Sequence, residues 1–142
     1  MAVSVRPGTR RARQARADAL VRVAKRVLAW ERAPARSHVD ITLLPAAAMR
    51  RANRRATGRR GLTDVIAYAL PQPDGQLVGD VYICPDAASK AAPSGAGLRE
   101  ELVRLAVHGT LHVLGYDHPE GIGRTRSRMW QRQERYVKRL LR

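Results

Sequence analysis

Apolar positions early in the chain fall at helical spacing. Leu20, Val23, Val27 and Trp30 share one face while Arg22, Lys25 and Arg26 lie on others, which predicts a helix over 14–30. The period then changes. Val39, Ile41 and Leu43 alternate with Asp40 and Thr42, the pattern of a half-buried strand. Pro45 stands where a helix can begin, alanine-rich residues 46–56 follow, and Gly58 supplies a stop. Thr63 to Leu70 and Leu77 to Cys84 are rich in β-branched and aromatic residues. Pro71, Pro73, Asp74 and Gly75 lie between them, so the pair predicts a hairpin. Residues 85–97, with two Pro and two Gly, predict a short helix and a loop. The strongest helix runs from Leu98 to Leu114, with Leu98, Leu102, Leu105, Ala106 and Leu111 as its apolar stripe and Gly115 just past its end. A last helix spans about Arg126 to Leu141. Strands and helices alternate without repeats or an internal boundary, which predicts one α/β (α+β) domain over residues 1–142.

Composition narrows the chemistry. The apolar fraction is 44% with no Phe, so the core must be built from Leu, Val, Ile and Ala. A domain of this length buries such a core without cross-links. Cys84 is the sole cysteine, which excludes an intrachain disulfide and any metal site made of several thiolates, and suits a reducing compartment. No apolar run approaches the roughly 20 residues that span a bilayer. The start of the chain lacks the apolar stretch of a secretory signal. Residues 1–17 are Arg-rich and free of acids, superficially like a mitochondrial presequence, but Arg is abundant along the whole chain.

Charge points to a partner. The formal net charge is +15, from 27 basic and 12 acidic side chains. Most of the basic groups are Arg, the side chain suited to bidentate phosphate contacts. Nucleic acid or an anionic surface is the expected partner; solubility alone does not require an excess of this size. The only acids in residues 1–60 are Asp18, Glu31 and Asp40, and from Arg124 onward the only acid is Glu134. The segment between Gly61 and Glu101 is mildly acidic.

Three of the four histidines fall between residues 108 and 118. His108 and His112 are four apart on the predicted helix, so both imidazoles share a face and can share a metal ion. Gly115 lets the chain reverse, and His118 can return as a third ligand. Three His ligands leave a fourth position for water, as in catalytic zinc sites. The ion is expected to be Zn²⁺, although three His also suit Ni²⁺, Co²⁺ and Cu²⁺. Metzincin peptidases share this spacing, but they need Glu after the first His as general base, and Gly109 occupies that place. Asp117 either orients a histidine or closes a turn. Tyr116 either packs over the site or fills core. His38, just before a strand, reads as structural or surface.

The run His108 to His118 resembles the pattern H-G-x-L-H-L-x-G-Y-D-H of the YbeY family of bacterial metal-dependent endoribonucleases and rRNA maturation factors, with Val113 for Leu. Asn53 followed by Thr63-Asp64-Val65-Ile66, and the run Gly79-Asp80-Val81, are similar to further family motifs. The resemblance covers roughly residues 37–141, and the first 36 match loosely. It implies a compact domain with a small mixed β-sheet flanked by helices. It also implies Zn²⁺ held by His108, His112 and His118 at the C-terminal end of a central helix. The implied role is maturation of ribosomal RNA, chiefly the small-subunit 3′ end, and ribosome quality control. Ala56 and Thr57 replace the family's Tyr-Arg pair, Leu62 replaces its Pro, and Cys84 its Ser. Arg54, Arg55, Arg59 and Arg60 surround the missing Arg, and Arg55 and Arg59 are the candidates to contact the phosphate in its stead.

The expectation is therefore a zinc-dependent, single-strand endoribonuclease, with His108 at the reacting centre. Its partners would be ribosomal RNA, the small ribosomal subunit and its assembly factors, in a bacterial cytoplasm, with no membrane and no nucleotide cofactor. No general base is evident. The alternative is a non-catalytic ribosome-assembly or RNA-binding factor with a structural zinc.

Overall fold

The structure, a computed structural model, describes residues 10–92, 97–119, 121 and 123–142. The first nine residues of the Arg-rich start and part of the 85–97 loop therefore lie outside the described residues. The order is α1 (Arg10–Trp30), β1 (His38–Leu43), α2 (Ala46–Thr57), β2 (Val65–Pro71), β3 (Leu77–Ile83), α3 (Pro85–Ala91), α4 (Leu98–Val113), a 3₁₀ turn (Arg124–Arg126) and α5 (Arg128–Leu140). Every predicted element is present.

The three strands form one mixed sheet in the order β1-β3-β2. The predicted hairpin pairs β2 with β3 antiparallel, from Val65 opposite Ile83 to Pro71 opposite Leu77. β1 lies parallel to β3, with Val39 opposite Gly79 and Ile41 opposite Val81. The chain leaves β1, passes through α2 to the far edge, and returns by the hairpin to the middle.

Alternation along the strands splits the core. Val39, Ile41 and Leu43 of β1 and Val81 and Ile83 of β3 pack in one buried cluster with Leu20 and Val27 of α1 and Leu102, Val107 and Leu111 of α4. The opposite face is covered by α2, where Met49 and Ala52 meet Ile66, Tyr82 and Cys84. α5 adds Met129, Tyr136 and Val137 to the main cluster. The central helix is α4, buried nearly all round from Leu105 to Leu111.

Helix ends explain the small shifts from the predicted limits. Pro45 is the N-cap of α2 rather than its first residue, and Gly58 ends the helix at φ +74°. α5 starts at Arg128 because Ser127 caps it, its Oγ accepting from the Trp130 N–H at 3.1 Å. α1 ends in a paired reversal, with Ala33 N–H donating to Leu28 O and Arg32 N–H to Ala29 O. Arg32 takes the left-handed position at φ +55°.

Two glycines set how closely α4 meets the sheet. A Cβ on Gly109 would stand 2.6 Å from Val81 Cγ1, and one on Gly79 would stand 2.4 Å from Val113 Cγ2. These separations are well inside van der Waals contact, so neither position accepts a side chain without movement. The position where a peptidase would carry its Glu is thus filled by the Val81 side chain.

Gly109→Ala tests this contact. Helix propensity favours Ala by about 1 kcal/mol, while overpacking costs about 1–3 kcal/mol. A net loss of up to about 2 kcal/mol is expected in denaturant unfolding. A variant as stable as wild type would show that the helix has room to back away.

Candidate metal centre

His108 and His112 stand one turn apart on α4, with ring centroids 4.6 Å apart and ring planes at 80°. α4 closes with Gly115 N–H donating to His112 O and Tyr116 N–H to Leu111 O, both at 3.0 Å. Gly115 takes φ +100°, a conformation that disfavours other residues. The reversal brings His118 back, its ring centroid 5.1 Å from each of the other two. One ligand atom from each histidine lies within 4.8 Å of the others.

The outer partners fix which nitrogens face inward. His108 Nδ1 is 2.7 Å from Gln133 Oε1. The Gln133 amide is itself oriented, because its Nε2 donates to Glu134 Oε2 at 3.0 Å. His112 Nδ1 donates to Tyr116 O and His118 Nδ1 to Pro119 O, both at 3.0 Å. Each Nδ1 faces an acceptor that cannot donate, so each neutral ring carries its proton there and turns a bare Nε2 inward. The Nε2 atoms of His108 and His112 are 3.1 Å apart. Two lone pairs at that distance repel unless a cation lies between them. Two ligands at 2.0–2.1 Å from one tetrahedral Zn²⁺ stand roughly 3.3 Å apart. The donor set therefore fits a transition metal.

Electrostatics agree. Burial pushes the His108 pKa down to about 4, against the opposing pull of the Gln133 hydrogen bond, and nearby His112 and His118 add to the depression. Burial and then His118 lower His112 as well. Both rings are neutral at pH 7, the form that binds metal.

The loop carrying His118 is anchored from α1. Tyr116 donates its hydroxyl to Glu31 Oε1 at 2.6 Å, and the Tyr136 hydroxyl donates to Glu31 Oε2. Arg132 Nε lies 3.5 Å from Glu31 Oε2, and its guanidinium sits over the Tyr116 ring. Tyr116 thus packs beside the site and its carbonyl orients His112. Asp117 closes the turn, accepting from the His118 N–H at 2.8 Å.

A cleft of about 670 Å³ opens over the three rings. Val65, Ala67 and Ala69, alternate residues of β2, form its floor, and Thr63, Asp64 and Arg124 stand at its sides. Arg54, Arg55, Arg59 and Arg60 are exposed, and none lines this cleft; Arg124 is the arginine that does. Thr57, at the family's Arg position, hydrogen-bonds Asn53 O at 2.9 Å and receives the Arg59 N–H at 3.1 Å, so it finishes α2. Asn53 ties that end to the next loop by donating to Gly61 O. His38 pairs with Asp40 at 2.7 Å, outside the cluster.

Sequence reasoning missed Arg124 as a site residue, and Gln133 altogether. Arg124 is one of many arginines and has no local signature. Gln133 had a signal: with Met129, Tyr136 and Val137 it completes the buried stripe of α5, and a lone amide at a core position asks for a partner.

Gln133→Leu, which keeps volume and removes the acceptor, should weaken metal binding roughly 10–100-fold in a competition titration with a chelating dye. Unchanged affinity would remove Gln133 from the site. The metal-free protein should also lose stability on acidification. Unfolded His108 takes up its proton near pH 6.5 and the folded ring only near 4. The unfolded state binds more protons between those values, so stability falls from pH 6.5 to 4 and levels off below. Urea midpoints measured across that window should slope less for His108→Gln; identical slopes would contradict the buried neutral ring.

Comparisons with known proteins agree with this geometry. The family model described as "Endoribonuclease YbeY" matches residues 7–141. Proteins of that name from Mycobacterium tuberculosis (strain H37Rv) and Mycolicibacterium paratuberculosis are 36% and 35% identical over 113 residues, covering 71% of this chain and 64% of theirs. The one from Mycolicibacterium vanbaalenii is 35% identical over 115 residues, 72% of this chain and 62% of its own. The match thus spans slightly less than two thirds of these relatives. The solution structure of TM1509 from Thermotoga maritima shares the fold, with a TM-score of 0.61 at 24% identity over 95% of this chain and 84% of that one. With nearly the whole chain matched and the three histidines in their motif converging, the chain belongs to the YbeY family.

Proposed function

We infer that the chain is a Zn²⁺-dependent endoribonuclease that cleaves single-stranded ribosomal RNA, in maturation of the small-subunit 3′ end and in quality control of that subunit in a bacterial cytoplasm. The observation that carries this reading is the set of three bare Nε2 atoms, each locked through its Nδ1, opening on a cleft beside an arginine in a chain of charge +15. Three protein ligands rather than four, facing open space, favour catalysis over a structural zinc.

A bound divalent ion supplies Lewis acidity toward a phosphoryl oxygen and lowers the pKa of water. The chain's own residues do the rest. Val65, Ala67 and Ala69 give a low floor along which an extended strand can lie. Arg124 holds a phosphate oxygen and offsets developing negative charge. Asp64, the carboxylate among the residues lining the cleft, takes the proton released by the attacking water and hands it to the leaving oxygen as the P–O bond breaks. Arg55 and Arg59, exposed on and just after α2, belong to the wider RNA surface rather than to the reacting phosphate. No helix of the described residues is long and apolar enough to cross a membrane.

The test measures binding and cleavage of one rRNA 3′-end fragment by wild type and His108→Ala. Binding should survive the substitution, and cleavage should fall to background. Affinity should drop with salt at a log–log slope of about −0.7 per phosphate contacted, hence roughly −3 or steeper. Equal cleavage by both proteins refutes metal-dependent catalysis, and salt-insensitive binding refutes the phosphate surface. Binding by both proteins with cleavage by neither favours the non-catalytic assembly factor.

A further inference from the structure

Behind His108 a second cavity of about 240 Å³ adjoins the metal cleft, and the two share Asp64, His108 and Arg124. Its chemistry is unlike that of the rest of the molecule. The charged groups lining it are the carboxylates of Asp64, Glu101 and Glu134 against the guanidiniums of Arg104 and Arg124. Three negative charges against two positive leave a net negative lining in a chain of charge +15. One wall is the indole of Trp130, half-buried, with the Arg124 guanidinium 5.5 Å from its centroid.

This lining excludes two occupants. A phosphate would face three carboxylates and could reach only Arg124, since Arg104 is already committed. Its Nε and Nη2 donate to the two oxygens of Glu134 at 2.9 and 3.0 Å, and its Nη1 donates to Glu101 Oε2 at 2.8 Å. A second metal ion is equally unsuited, because the three histidines are the only cluster of ligand-bearing side chains among the described residues. A flat, uncharged group with N–H donors remains. Glu134 already accepts from both Arg104 and Gln133, but Glu101 accepts from Arg104 through one oxygen and keeps capacity beyond it, and the indole offers a stacking face. The shared residues Asp64, His108 and Arg124 put such a group next to a phosphate at the metal cleft.

We propose that this annex is a nucleobase subsite, which stacks the base flanking the scissile phosphate on Trp130 and selects bases with an exocyclic amino group over uracil. Adenine, cytosine and guanine present that amino group to the carboxylates. Uracil offers a single edge donor, N3–H, flanked by two carbonyl oxygens that carboxylates repel, so it pairs less well than a base with an exocyclic amino group. The proposal rests on the ribonuclease reading above, and it adds a specificity that the metal centre alone does not supply.

The test begins without cleavage. Trp30→Phe leaves Trp130 as the single tryptophan of the two in the chain. In that background AMP, CMP, GMP and UMP are titrated against indole fluorescence, with inorganic phosphate as control. Saturable quenching several-fold tighter for the three amino-bearing nucleotides than for UMP is expected, and Glu101→Gln should narrow the gap. Equal responses to all four, or the same response to inorganic phosphate, overturn the subsite. On RNA oligonucleotides varied at the nucleotide beside the cleaved bond, Trp130→Ala should raise KM about tenfold, the size of one lost base–aromatic stack, with kcat little changed. Trp130→Phe, which keeps a ring, should recover most of that loss. Metal-dependent cleavage indifferent to the base and to Trp130 removes the subsite and leaves the ribonuclease reading intact. Selective quenching in a protein that cleaves no RNA does the opposite.

Discussion

At Gly109 and Gly79 the central helix and the sheet touch through backbone and valine side chains, with no Cβ between them on the glycine side. That contact fixes both the height and the rotation of α4. Once Gly109 faces Val81, His108 and His112 on their common face must turn toward the cleft over β2 and toward α5. The small residues Ala67 and Ala69 then matter, because larger side chains on the same face would fill the cleft. One packing constraint thus sets the ligand direction, the depth of the floor and the absence of a side chain where a peptidase carries its base.

Element order and the convergence of the three histidines were legible because both rest on local periodicity. A stripe at helical spacing, a pair of histidines four apart and a glycine at the helix end require no knowledge of distant contacts. The hairpin was equally plain from its turn residues, and its pairing brings Val65 opposite Ile83. What stayed hidden depends on elements far apart in sequence. Gln133 reaches His108 from 25 residues away, and Glu31 reaches Tyr116 from 85. The arginines flanking Thr57 illustrate the converse. Their number suggested a substitute for the family's missing Arg, but α2 covers the other face of the sheet, and the arginine in the cleft comes from the loop before α5.

The three imidazoles are held from unlike sources: a side-chain amide on α5, a carbonyl in the turn after α4, and a carbonyl one residue beyond His118. None of these acceptors titrates. The ring tautomers are therefore set by neutral dipoles rather than by a carboxylate, which leaves less negative charge directly behind the rings. Behind His108 the acidic groups lie one layer further out, on Glu134 and Glu101, where Arg104 partly neutralises them, while Asp64 lines the cleft itself.

Glu31 sits at the reversal that ends α1 and receives both the Tyr116 and the Tyr136 hydroxyls, 85 and 105 residues further along the chain. The turn that carries His118 is therefore moored only after the two ends of the polypeptide have docked. His108 and His112 meet through a single helical turn and are available to an ion as soon as α4 forms. An ion held by that pair alone would lack the third donor, which arrives only with the long-range closure at Glu31.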